Sequence, residues 1–109
     1  MELSPAQQLY TGIGQQLPDS EASQMFGKPC FKIHGKAYLA FFSDCMVFKL
    51  TGEQHKAAIQ LSGAVFFDPS GKGRAMKEWV QLPVEHQHSW LHFARAAHSY
   101  ALQTSKRMQ

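Results

Sequence analysis

Apolar side chains alternate with polar ones most regularly between Cys30 and Leu50, with the period of pleated strands. Lys36–Phe42 and Cys45–Leu50 are rich in aromatic and bulky residues, and Ser43-Asp44 between them suits a two-residue turn. That turn sets Phe42 opposite Cys45, Phe41 opposite Met46 and Leu39 opposite Phe48. One predicted face then carries Ala37, Leu39, Phe41, Met46, Phe48 and Leu50. The other carries Tyr38, Ala40, Phe42, Cys45, Val47 and Lys49, with Lys32 of the preceding strand beside them. A two-residue turn at His34-Gly35 would place Lys32 on the apolar face, where an unpaired charge is costly. A three-residue loop, His34 to Lys36, places Phe31 and Ile33 there instead, and is the predicted connection.

The flanking segments follow the helical period. Ser4-Pro5-Ala6-Gln7 has the form of a capped helix start, and Leu9, Ile13 and Leu17 recur one turn apart until Pro18. Gly12 and Gly14 weaken that helix unless its stripe is packed. Asp19–Gln24 is polar and fits a loop or a short extra strand. Thr51-Gly52-Glu53-Gln54 has the form of a second capping box, for a helix to about Leu61 that turns Ala57, Ala58 and Leu61 inward. Ala64–Phe67 and Met76–Leu82 read as strands around a turn-rich loop, Asp68–Gly73. A last helix begins between Val84 and Ser89 and buries a stripe of Trp90, Ala94, Ala97 and Ala101. The polar tail from Thr104 to Gln109 is expected to fray. The predicted order is α-βββ-α-ββ-α: one α+β domain over residues 1–109, with a mainly antiparallel sheet and its helices on the apolar face.

A chain of 109 residues supports a core without metal or disulfide staples. No apolar run approaches the ~20 residues of a membrane span, and no basic residue precedes Lys28, as a secretory leader would require. Cys30 and Cys45 both fall on predicted strands and lack a Cys-x-x-Cys spacing. They read as packed thiols of a cytoplasmic protein. The formal charge of +3 permits nucleic acid or an acidic partner without requiring either.

Met25-Phe26-Gly27, a strand, the His34-Gly35-Lys36 turn, an apolar hairpin, a short helix, and Gly71-Lys72-Gly73-Arg74 before a strand and last helix together resemble the N-terminal domain of the TfoX/Sxy competence regulators. The chain is also similar to the related MmcQ/YjbR-type small proteins. The resemblance covers nearly the whole chain. It implies a free-standing cytoplasmic α+β domain linked to regulation, with DNA binding suggested for some relatives. The longer regulators carry a second domain for which this chain has no room.

Several stretches carry candidate chemistry. Ser70–Arg74 combines two glycines with Lys72 and Arg74, and Lys77 follows. Exposed backbone N–H groups and cations of this kind can hold a phosphate, although the P-loop spacing is missing. Lys28, Lys32 and Lys36 form a second basic run, and on a sheet face with an aromatic residue they suit single-stranded nucleic acid. Solvated surface charge explains both runs equally well. His88 and His92, one helical turn apart and near His86, are a weak metal candidate without a third ligand. His55 and His98 are expected on exposed helix surfaces.

Tyr38, Phe42 and Val47 would form an apolar patch opposite the core, to be covered by the first helix or by a second copy of the chain. No catalytic motif and no cofactor signature is present. The expectation is therefore a non-enzymatic binding domain that contacts nucleic acid or a protein partner. The alternative is a homodimeric interaction domain without nucleic acid. A small-molecule binder or enzyme would need a pocket with convergent polar groups.

Overall fold

The computed structural model describes residues 4–73 and 75–107, the last three by backbone alone. Helix α1 (Pro5–Gln15) leads into a four-stranded meander, β1 (Ser20–Met25), β2 (Lys28–Ile33), β3 (Lys36–Phe42) and β4 (Cys45–Lys49). Helix α2 (Gly52–Ile59), β5 (Val65–Phe67), β6 (Met76–Leu82), a single 3-10 turn (Val84–His86) and α3 (Gln87–Arg107) follow. The strands form one antiparallel sheet in the order β1-β2-β3-β4-β6-β5. The domain is α+β, and no helix among the described residues is long and apolar enough to cross a membrane.

The polar stretch after Pro18 becomes the extra strand. β1 pairs with β2 along its whole length, Ser20 with Ile33 through Met25 with Lys28. It sits at the sheet edge with neither face well buried, so it needs no alternation of its own. The three meander turns, Phe26-Gly27, His34-Gly35 and Ser43-Asp44, all use two consecutive residues at positive φ. This is the geometry that matches the twist of paired strands.

The β3–β4 register is the predicted one. The β2–β3 connection is not. His34-Gly35 forms a two-residue turn, with Ile33 opposite Lys36 and Lys32 opposite Ala37. The register then jumps, so that Phe31 meets Leu39 and Tyr38 is left over as a bulge. The bulge does what the longer loop was expected to do: Phe31 and Ile33 are buried among the helices, and Lys32 stays out of that core. It also moves two side chains. Tyr38 turns to the helix side, where it is inaccessible to solvent, shares a 2.6 Å hydrogen bond with Ser20 and meets the His98 ring edge-on. Ala37 moves to the opposite side.

Helices α1, α2 and α3 pack on one sheet face. There Ile33, Leu39, Met46, Phe48, Leu50, Val80 and Leu82 meet Tyr10, Ile13, Ala58, Trp90, Phe93 and Ala97. Ser4 caps α1 as predicted, its Oγ accepting the Gln7 N–H. Thr51 stands at the N-cap of α2, but its hydroxyl makes no capping bond. Gly14 lets α1 approach closely, since a Cβ there would overlap the Phe31 ring. His98 is buried rather than exposed, and its Nε2–H donates to the Pro18 carbonyl at 2.8 Å. Helix α3 continues through Arg107, past the expected fraying point at Thr104; Met108 and Gln109 lie outside the described residues.

Among the described residues, the other sheet face is closed without helix side chains. Its buried cluster is Cys30, Ala40, Val47, Phe67 and Trp79, ringed by Met25, Ala37, Phe42 and Met76. Phe67 reaches from β5 to Phe42 on β3, with ring centroids 5.7 Å apart, and lies 6.3 Å from Trp79. Neither the first helix nor a second copy is needed to cover Val47, which has no accessible surface, or Phe42, which is half-buried.

Candidate ligand groove on the helix-free sheet face

In the loop between β5 and β6 a carboxylate of the loop itself occupies backbone donors. Asp68 Oδ1 accepts from the N–H groups of Ser70 (3.2 Å) and Gly71 (3.0 Å) and from the Ser70 hydroxyl (2.8 Å). Its Oδ2 accepts from the Gly73 N–H at 2.9 Å. The Lys72 N–H goes to Ser70 Oγ at 3.2 Å. Among the described residues, the N–H groups of Ser70, Gly71, Lys72 and Gly73 are thus already bonded within the loop, and an anion would meet the Asp68 charge beside them. The Ser70 hydroxyl, with the N–H groups of Gly73, Gly71 and Ser70, holds the Asp68 carboxyl below its ordinary value. Lys72 and Lys77 are exposed, and Arg74 lies outside the described residues.

The other basic run converges. On β2, alternation puts Cys30 on the helix-free side, and Lys28 and Lys32 with it. The Lys28 ammonium sits 4.7 Å above the Phe42 ring centroid, a cation–π contact. Burial pushes the Cys30 thiol up, and the nearby Lys32 charge pulls the other way. On β4, Lys49 stands opposite Trp79.

These positions open onto a groove of about 520 Å³, lined by Met25, Phe26, Lys32, Gly35, Lys36, Ala37, Lys49, Met76 and Trp79. Its floor is apolar, and alternation turns the Lys32 and Lys49 side chains to this face, whereas Lys36, opposite the helix-side Ile33, borders the groove from the hairpin end. The neighbouring acid is Glu21, opposite Lys32 in the β1–β2 register. Phe26, at the tip of the β1–β2 hairpin, is 62% exposed, the most exposed large apolar side chain among the described residues. Cations around an exposed ring can hold phosphate and a planar group together.

Two other hollows have different chemistry. One of about 470 Å³ runs along the α1–β1 connection and carries Asp19 and Glu21, which repel anions. The other, about 500 Å³, lies on the outer face of α3 and contains His88, His92 and Arg95. There His92 donates Nε2–H to Gln54 Oε1 at 2.9 Å. His86 and His55 spend Nε2 on the carbonyls of Ser62 and Lys77. Among the described residues no three His, Cys, Asp or Glu side chains converge as a metal site.

Of the residues named from sequence, Lys32 and Lys49 therefore meet in one groove and Lys28 lies on the same face, while Lys36 shares the helix side with Ile33. Lys72 and Lys77 sit elsewhere, and Tyr38 is on the opposite face. Sequence alone did not single out Phe26, Trp79 or Met76. The available signal was Phe26-Gly27 itself, a two-residue turn led by a bulky aromatic. The chain matches no protein-family model, no curated protein and no solved structure.

Proposed function

We propose that this domain is a non-enzymatic, cytoplasmic binding module that takes nucleic acid on its helix-free sheet face. The observation that carries the reading is the convergence of Lys32 and Lys49 with the exposed Phe26 on one open groove. Lys28 extends the positive charge along the same face. The lysines neutralise phosphates, and the apolar floor with its aromatic rim accepts base or sugar. A binding role agrees with what the resemblance to TfoX/Sxy N-terminal domains implies. The two thiols, Cys30 and Cys45, are unpaired, which suits a reducing compartment.

A salt titration of binding to single-stranded and duplex DNA tests this. For each phosphate left unneutralised by Lys32→Ala or Lys49→Ala, the log–log salt slope should fall by about 0.7 on single strands or about 0.9 on duplex. Lys72→Ala should leave the slope unchanged. Equal slopes for wild type and both groove variants would remove the groove from consideration.

A second reading, homodimerisation, is favoured by one feature. β1 is a six-residue edge strand with no Pro or Lys to block further pairing. Sedimentation across a concentration series decides it, since a Ser23→Pro variant would dissociate a dimer paired along that edge.

A further inference from the structure

Phe26 is placed against the interests of the fold. Its backbone is left-handed, φ 53°, as the first residue of the Phe26-Gly27 turn. That position favours Asn, Asp or Gly, and for a bulky residue it is an outlier. Packing does not compensate. The side chain is 62% exposed and belongs to neither buried cluster. A residue held in a sparsely populated conformation with its ring in water is explained by what the ring meets outside the chain. Phe26 borders the groove, which Lys32 and Lys49 also line, with Trp79 in the floor.

We infer that Phe26 is the stacking residue of this groove and that its ligand is an unpaired base of a single strand. The inference rests on the nucleic-acid reading above and narrows it. In a duplex both faces of a base are covered by its neighbours, so a protruding ring can stack only by prising a base step apart, at the cost of its stacking energy. In a single strand the base can turn onto Phe26 while the flanking phosphates reach the lysines. Charge complementarity selects an anion, and the ring selects one that carries a planar group. An acidic polypeptide offers the first without the second.

The test uses the full chain, wild type and Phe26→Asn, with three labelled probes: a short oligothymidylate, an abasic oligomer of the same length, and polyglutamate. Asn suits the turn, so Phe26→Asn should melt no lower than wild type. It should bind oligothymidylate roughly 5- to 150-fold more weakly, the range for one base–aromatic stack. Its affinity for the abasic strand should not change, and Phe26→Trp should bind oligothymidylate at least as well as wild type. Three results would overturn the inference: unchanged oligothymidylate binding by Phe26→Asn, an equal loss on the abasic strand, or wild type preferring polyglutamate. If Lys32→Ala and Lys49→Ala weaken both strands while Phe26→Asn weakens neither, the groove stands and the stacking role falls. If wild type binds neither strand, both fall.

Discussion

The two faces of the sheet are closed in opposite ways. On one, three helices supply the cover, and the sheet contributes large side chains such as Leu39, Phe48 and Val80. On the other, the sheet covers itself. Small or medium residues at its centre, Cys30, Ala40 and Val47, lie within a ring of larger ones that includes Phe42, Phe67, Met76 and Trp79. The first arrangement buries apolar area against separate elements and leaves no access. The second spends only the middle of the face, so the margin beside Trp79 stays open and lysines can line it. A face that needs no helix is one the domain can offer to a ligand.

The largest test of this comparison is whether the self-covered face is a core at all. Phe48 on the helix side and Phe67 on the other are both inaccessible to solvent. Truncation of either to Ala should cost about 3–5 kcal/mol, measured by denaturant unfolding. A Phe67→Ala variant that unfolds like wild type would show that this face is only surface.

A smaller effect separates two glycines of α1. Gly14 lies against Phe31, whereas a Cβ at Gly12 would meet nothing within 4 Å. Gly14→Ala should destabilise by about 1–3 kcal/mol through overpacking. Gly12→Ala should stabilise by up to about 1 kcal/mol through helix propensity. Equal effects at the two positions would mean that α1 does not pack through Gly14 on β2.

The smallest effect concerns Asp68. Its carboxyl is held below the ordinary value by the Ser70 hydroxyl and the loop N–H groups. The stabilisation from these bonds is therefore complete above the unfolded carboxyl pKa, about 3.9, and is lost as pH falls through the lower folded value. A carboxyl titration followed by NMR should show a midpoint below the ordinary one, moving up in Ser70→Ala. A midpoint unaffected by that change would mean the loop does not wrap the carboxylate.

The sequence made most of the helix-covered face legible because alternation is local. Once Ser43-Asp44 is taken as the turn, Phe41 must meet Met46 and Leu39 must meet Phe48. Tyr38 was not legible in the same way. Its direction depends on a bulge that reconciles a tight His34-Gly35 turn with keeping Lys32 out of the core, and a period-two pattern has no term for a skipped residue. The Asp68 loop is hidden from the sequence for a related reason. Two glycines and nearby cations look like an anion cradle, and only the folded loop shows that a residue at its own start occupies the donors. Lys32 and Lys49 were placed together by alternation alone. Phe26 stands out only through its exposure and a positive φ, which residue type does not announce.

The bond from His98 to the Pro18 carbonyl joins residues eighty positions apart, and α3 lies over β2, β3 and β4. All six strands precede that helix in the chain. During synthesis the meander can therefore pair before its apolar face has a lid, with Leu39, Phe48 and Val80 waiting for Trp90 and Ala97. A nascent chain halted after β6 would present a sticky half-domain to whatever lies nearby, and its need for chaperone protection would end only when α3 docks.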